Sequence, residues 1–256
     1  MGKWKIGILV DNLNLGLEAG IEKAAELGAD GVQLYCTGGE MSPGAMDAEM
    51  RKAFRRKLES FGLALSALCG DTFKGFFDAA TIDAQVADAK SFIDLAVDLG
   101  TNVVTTHFGR FPKAGDEAAW KMAIDALKTI GAYAAEHGVF YASETGLESP
   151  EDLLEFLEKV ASPAIKVNYD PANLCARGYD HIAGVGILKD YIVHTHAKDY
   201  KRHGDETPLG QGDVDYPKYL AALEATGYGG FVTIEREAGD NIVEDVAKAL
   251  EFLRGF

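Results

Sequence analysis

Four short apolar runs in the later part of the chain each finish on an acid or a histidine: Val139 to Glu144 (VFYASE), Ile165 to Asp170 (IKVNYD), Tyr191 to His196 (YIVHTH) and Phe231 to Glu235 (FVTIE). Each run is rich in β-branched or aromatic residues and is flanked by helix-like sequence, which is how a parallel strand of a β/α protein reads. Strand side chains alternate between faces. Glu144, Asp170, His196 and Glu235 therefore share one face if Ser143, Tyr169, Thr195 and Ile234 face the other, with Val167, Val193 and Val232 two residues further back also facing outward. Three carboxylates and one imidazole converging from neighbouring strand ends make an oxygen-rich site with one nitrogen. Such a donor set suits one divalent ion of the manganese, magnesium or cobalt kind, with zinc as a further option.

The rest of the chain supplies strands to stand beside these. Eight strand-then-helix units can be counted, with the earlier strands at Lys5 to Val10, Gly31 to Tyr35, Leu63 to Leu68 and Asn102 to Thr106. Helices are expected at about 17–27, 47–60, 81–99 and 116–137, after Ser149-Pro150, over His181 to Leu188, after Pro217, and over 241–253. The third carries Val86, Ile93 and Val97 as its apolar stripe, and the fourth Ala123, Leu127, Ile130 and Ala134. Gly184 and Gly186 weaken the sixth. Eight such alternations in 256 residues imply an α/β fold, a single-domain (β/α)8 TIM barrel spanning residues 1–256, whose active sites lie on the loops at the C-terminal strand ends. The loop from Cys69 to Asp78 holds Phe73, Phe76 and Phe77, an apolar cluster fit to cap a pocket or to meet another subunit. Trp4 and Trp120 read as packing residues.

Charge narrows the partners. With 25 basic and 40 acidic residues the net charge is −15, which repels phosphate backbones and excludes nucleic acid as a partner. No stretch approaches the roughly 18 apolar residues of a membrane span. Three cysteines, Cys36, Cys69 and Cys175, form no CxxC pair, a pattern that suits a reducing cytoplasm.

Taken in order, ETG at Glu144, NYDPANL around Asp170, HTHAKD around His196, PLGQGDVDY from Pro208 to Tyr216 and TIERE around Glu235 resemble the xylose isomerase-like barrel superfamily, the sugar phosphate isomerase/epimerase group. In its ketose 3-epimerases one divalent ion is held by Glu, Asp, His and Glu at these strand ends. The resemblance implies Glu144, Asp170, His196 and Glu235 as ligands, with Glu144 and Glu235 doubling as the catalytic acid/base pair. A divalent ion beside a sugar carbonyl and its neighbouring hydroxyl acidifies the C–H between them and offsets the charge of the enediolate. Proton return to the opposite face gives an epimer, return to the adjacent carbon an aldose–ketose isomerisation, and loss of a β-hydroxyl a dehydration of the inosose or keto-acid type. A barrel that binds sugar without turnover is the reading from another class, and two opposed bases speak against it. The substrate would be a small sugar or polyol, phosphorylated or not, and the resemblance further implies a homo-oligomer.

Four more residues are substrate-binding candidates. Arg202, six residues after His196, matches a substrate-contacting arginine of the epimerases or is a solvated loop charge. Lys198 either orients a substrate oxygen or pairs with Asp199 or another nearby carboxylate. His107 ends the fourth strand on the inward phase. Asn173 stands where the epimerases carry a substrate-binding histidine, and an amide does not titrate near neutrality. His194 lies one layer below His196. Glu237 shares the phase of Glu235 but belongs to the loop beyond it. Gly210 and Gly212 lack the lysine and helix start of a phosphate loop.

Overall fold

A computed structural model describes residues 3–113, 115–201 and 204–256. Eight parallel strands close into a barrel: β1 (Lys5–Leu9), β2 (Gly31–Tyr35), β3 (Ala64–Cys69), β4 (Val103–Thr106), β5 (Phe140–Glu144), β6 (Ile165–Tyr169), β7 (Ile192–Ala197) and β10 (Phe231–Ile234), the last pairing with both β1 and β7. Closure leaves no unpaired sheet edge. The outer layer contains α1 (Leu17–Glu26), α2 (Ala48–Ser60), α3 (Ile82–Leu99), α4 (Glu117–Glu136), α5 (Pro150–Val160), α6 (Pro171–Ala176), α7 (Ala183–Leu188), α8 (Tyr216–Ala225) and α9 (Ile242–Arg254). Local sequence starts several of them. Asp47, Asp116, Ser149 and Asp215 each accept a first-turn amide into the side chain, and α5 and α8 also carry proline in their first turn. The expected TIM barrel is therefore the observed fold, with strand ends within a residue or two of those read from the sequence. No helix among the described residues is long and apolar enough to cross a membrane.

Three local expectations need correction. Val193 does not face the helices: β7 bulges where Val167 pairs with Ile192 and Asn168 with His194, and Val193 packs against Ala67, Val103 and Ala142. An extra residue in one strand reverses the phase behind it. Val97 is 42% exposed, and α3 buries Ala89, Phe92, Ile93, Ala96 and Leu99 instead. The phenylalanine cluster splits three ways. Phe76 is fully buried edge-on to Phe108 and Tyr141, Phe77 packs with Phe111, Trp120 and Phe156, and Phe73, 77% exposed, lines the cleft at the strand ends, so the pocket is met by one residue and not by a cluster. Trp4 and Trp120 are packing residues, and the three cysteines are buried and in the thiol form.

The long loop after β7 is held by one carboxylate. It folds back as the antiparallel pair β8 (Asp199–Tyr200) and β9 (Glu206–Thr207). Asp199 accepts the backbone amides of Gly210 and Gly212 at 2.9 Å each and those of Tyr200 and Val214 at 3.0 and 3.2 Å. The amides of Gly210 and Gly212 are thus already satisfied, by an anion of the chain itself. Asp199→Ala should orphan four N–H groups and lower the urea-unfolding free energy by about 2–4 kcal/mol. Equal unfolding midpoints for the variant and the parent would contradict that account.

Candidate active site

Glu144 ends β5, Asp170 follows β6, His196 lies in β7 and Glu235 follows β10, and these four strands are neighbours in the ring. All four side chains are buried, and one ligand atom from each lies within 4.8 Å of the other three. His196 Nδ1 is at the centre: 3.5 Å from Glu144 Oε2, 3.8 Å from Asp170 Oδ2 and 3.0 Å from Glu235 Oε2.

The two oxygens of Asp170 are used differently. Oδ1 caps α6, accepting from the amides of Ala172 at 2.7 Å and Asn173 at 3.0 Å, and Pro171 sits in the helix's first turn. Oδ2 is buried and has no hydrogen-bond partner. Sequence reading placed no helix at 171–176, although aspartate followed by proline is a start signal. The Thr145 hydroxyl clamps the same corner, donating to the Asp170 carbonyl at 3.0 Å and accepting its amide at 2.8 Å. Gly146 lets the β5 loop pass α6: its φ is +125°, and a Cβ there would lie 2.3 Å from that of Asn173.

Charge is densely packed here. Burial raises the Asp170 pKa. For Glu144 and Glu235 burial alone would do the same, but His196, helped at Glu235 by Lys198, prevails and holds both carboxyls below the usual range. Burial would lower the His196 pKa, yet Glu235 and Glu144 together hold it well above its ordinary value. Glu235 Oε2, like Asp170 Oδ2, is buried without a hydrogen bond. A set of three oxygen donors and one nitrogen, in which Asp170 Oδ2 is unpaired and Glu235 Oε2 is held by ion pairing alone, fits a hard divalent cation, since buried polar atoms left without hydrogen bonds are costly.

Above the four opens a cleft of about 220 Å³. Three of the substrate-binding candidates line it. His107 Nδ1 meets Asp71 at 2.5 Å, and its Nε2 lies 3.9 Å from Glu144 Oε1. Asn173 Nδ2 donates to Glu144 Oε1 at 2.7 Å. Lys198 is buried and pairs with Glu235 at 3.3 Å and with Glu237, not with Asp199. Arg202 lies outside the described residues. Glu237 is in the loop beyond β10 and reaches the cleft through Lys198. His194 lies beneath His196, hydrogen-bonded to Asn168 at 2.9 Å and Thr233 at 3.0 Å. Sequence reasoning missed Tyr35, Asp71 and Arg177, which also line the cleft. Only Asp71 carried a signal, an acid in the loop just past a strand end.

The sequence matches the xylose isomerase-like TIM barrel family over residues 21–256, and the chain belongs to that family. An inosose dehydratase of Geobacillus thermodenitrificans is 24% identical over 242 residues, covering 79% of this chain and 80% of the relative. A xylose isomerase domain protein from Planctomyces limnophilus superposes with TM-score 0.85 at 31% identity, covering 98% of this chain and 96% of that one. A D-allulose 3-epimerase from Methylomonas sp. superposes at 0.79 with 18% identity over 100% and 98% of the two chains, which speaks to the fold alone.

Glu235 and Glu144 hold the His196 pKa above its ordinary value, so an ion taking Nδ1 competes with a proton there. Apparent Mn(II) affinity is therefore expected to rise as the pH is raised from about 6 to about 8, by at most about tenfold per unit. Calorimetric titration across that range checks it, and a flat profile would remove His196 from the ligand set.

Proposed function

We propose that this chain is a divalent-metal-dependent isomerase or epimerase of a small sugar or polyol-derived ketone, working by removal and return of a proton on the carbon beside the carbonyl. The observation that supports this reading most strongly is the pairing of Glu144 and Glu235. Both are buried, both line the cleft, and they reach His196 from strands β5 and β10, with β6 and β7 between them in the ring. One carboxylate is placed to take the proton and the other to return it.

The ion would be held by Glu144, Asp170, His196 and Glu235 and would supply positive charge to the oxyanion that develops on the substrate. The chain's own groups do the rest. Asn173 and Asn168 donate to Glu144 at 2.7 and 3.3 Å and aim that carboxylate. Lys198 lies beside Glu235 and keeps it ionised and ready to accept a proton. His107, braced by Asp71, presents Nε2 on the side facing Glu144, where a substrate hydroxyl can hydrogen-bond.

A second reading, dehydration of an inosose or related keto compound, is favoured by the 24% identical inosose dehydratase and by Asn173 standing where the resembled epimerases carry histidine. Both begin with the same proton abstraction, so one experiment separates them. Mn-loaded protein incubated in D₂O with ketoses and an inosose should exchange the C–H beside the carbonyl. An epimerase or isomerase returns a sugar of unchanged formula apart from deuterium, a dehydratase a product one water lighter. Glu144→Gln and Glu235→Gln should each reduce exchange by about 10²–10⁴-fold. Binding without exchange on any substrate would leave the sugar-binding barrel as the function.

A further inference from the structure

Beneath the metal cluster, and outside the cleft, a chain of hydrogen bonds crosses the barrel interior. We propose that Gln33, fully buried in β2, is a positioning residue that fixes the tautomer of His196, so that Nε2 carries the proton and Nδ1 is left for a divalent ion. This rests on the metal-dependent reading above and names a residue that reading does not use.

The direction of the chain follows from groups that can only donate or only accept. The Leu68 carbonyl only accepts, and the Thr105 hydroxyl donates to it at 3.5 Å. The Thr105 oxygen is then free to accept, and Gln33 Nε2 donates to it at 3.1 Å. With its amino group turned to Thr105, Gln33 must present Oε1 on the other side, where it meets His196 Nε2 at 3.0 Å. An amide oxygen cannot donate, so Nε2 bears the hydrogen. Nδ1 is then the ring nitrogen that faces Glu144, Asp170 and Glu235.

A competing donor is present and does not compete. Asn168 Nδ2 lies 3.2 Å from His196 Nε2 and 3.5 Å from Nδ1. A nitrogen nearly equidistant from both ring nitrogens lies along neither of their in-plane bonding directions, which diverge from each other. Its amide is engaged elsewhere, donating to Glu144 Oε2 at 3.3 Å and accepting from His194 Nδ1 at 2.9 Å through Oδ1. Turning the Gln33 amide over would set its amino group against Nε2 and its oxygen against Thr105, pulling the hydroxyl proton off Leu68. The bond from Nε2 to Gln33 is the same whether or not Nδ1 carries a proton, so the arrangement is in place before an ion arrives. Partners of this kind on the far nitrogen of a ligating imidazole commonly contribute 10–100-fold to metal affinity.

The test is titration of metal-stripped protein with Mn(II) by calorimetry, using the parent, Gln33→Leu, Gln33→Glu and Thr105→Val, with thermal unfolding of each metal-free form as a measure of fold. Gln33→Leu, which fills the space but accepts nothing, should weaken Mn(II) by about 10–100-fold. Gln33→Glu, which still accepts from Nε2, should stay close to the parent. Thr105→Val keeps Gln33 but removes the anchor of its amide and should weaken binding by a smaller factor. A readout free of variants comes from ¹⁵N NMR of the zinc-loaded parent, in which the His196 ring proton should sit on Nε2. A ring proton on Nδ1, or undiminished Mn(II) binding by a folded Gln33→Leu, overturns the role of Gln33 and leaves the metal site standing. Absence of Mn(II) uptake by the parent overturns the metal-dependent function itself, and this inference with it.

Discussion

Closing eight parallel strands into a ring fixes the height and direction at which each strand stops, because every strand is hydrogen-bonded on both sides. A side chain at a strand end therefore has little freedom in where it projects. That constraint lets four residues spread from position 144 to position 235 of the sequence meet within 4.8 Å, and it lets the loops above vary without disturbing them. The β8–β9 hairpin and α6 are both elaborations of those loops, and each is secured by one aspartate, Asp199 or Asp170.

Burying three carboxylates together would be prohibitive if each kept its charge alone. The protein meets the cost by surrounding them with His196 and Lys198 and with the amide donors of Asn168 and Asn173. Compensation is incomplete in one sense: Asp170 Oδ2 accepts no hydrogen bond, and Glu235 Oε2 has only its ion-pair contacts with His196 and Lys198. A site fully neutralised by its own hydrogen bonds would have nothing left to offer a cation.

Much of this was legible beforehand for a simple reason. Strand alternation is local, so the phase of Glu144, Asp170, His196 and Glu235 could be read from each run by itself, as could eight repeats of strand and helix. What could not be read depends on pairings far apart in sequence. Val193 turned inward because β7 carries a bulge opposite β6, and a bulge leaves no mark in the residue types. Gln33 looked like any polar residue in a strand, and its partners Thr105 and His196 are 72 and 163 positions away. Val97 sat at helical spacing with Ile93, yet the face of α3 that packs inward runs through Ala89, Phe92, Ile93, Ala96 and Leu99 and leaves Val97 at its edge. The cleft residues Tyr35, Asp71 and Arg177 lie at or beyond strand and helix ends, where neither period applies.

Asp170 shows how the two levels of the structure are joined. One of its oxygens belongs to the architecture, starting a six-residue helix that carries Asn173 and is followed directly by Arg177, while the other faces His196 in the buried cluster and accepts no hydrogen bond. An asparagine there would keep the acceptor that starts the helix and lose the negative charge. A single isosteric change would thus take one negative charge out of the buried cluster and leave its walls intact, so the charge of this site can be altered without altering its shape.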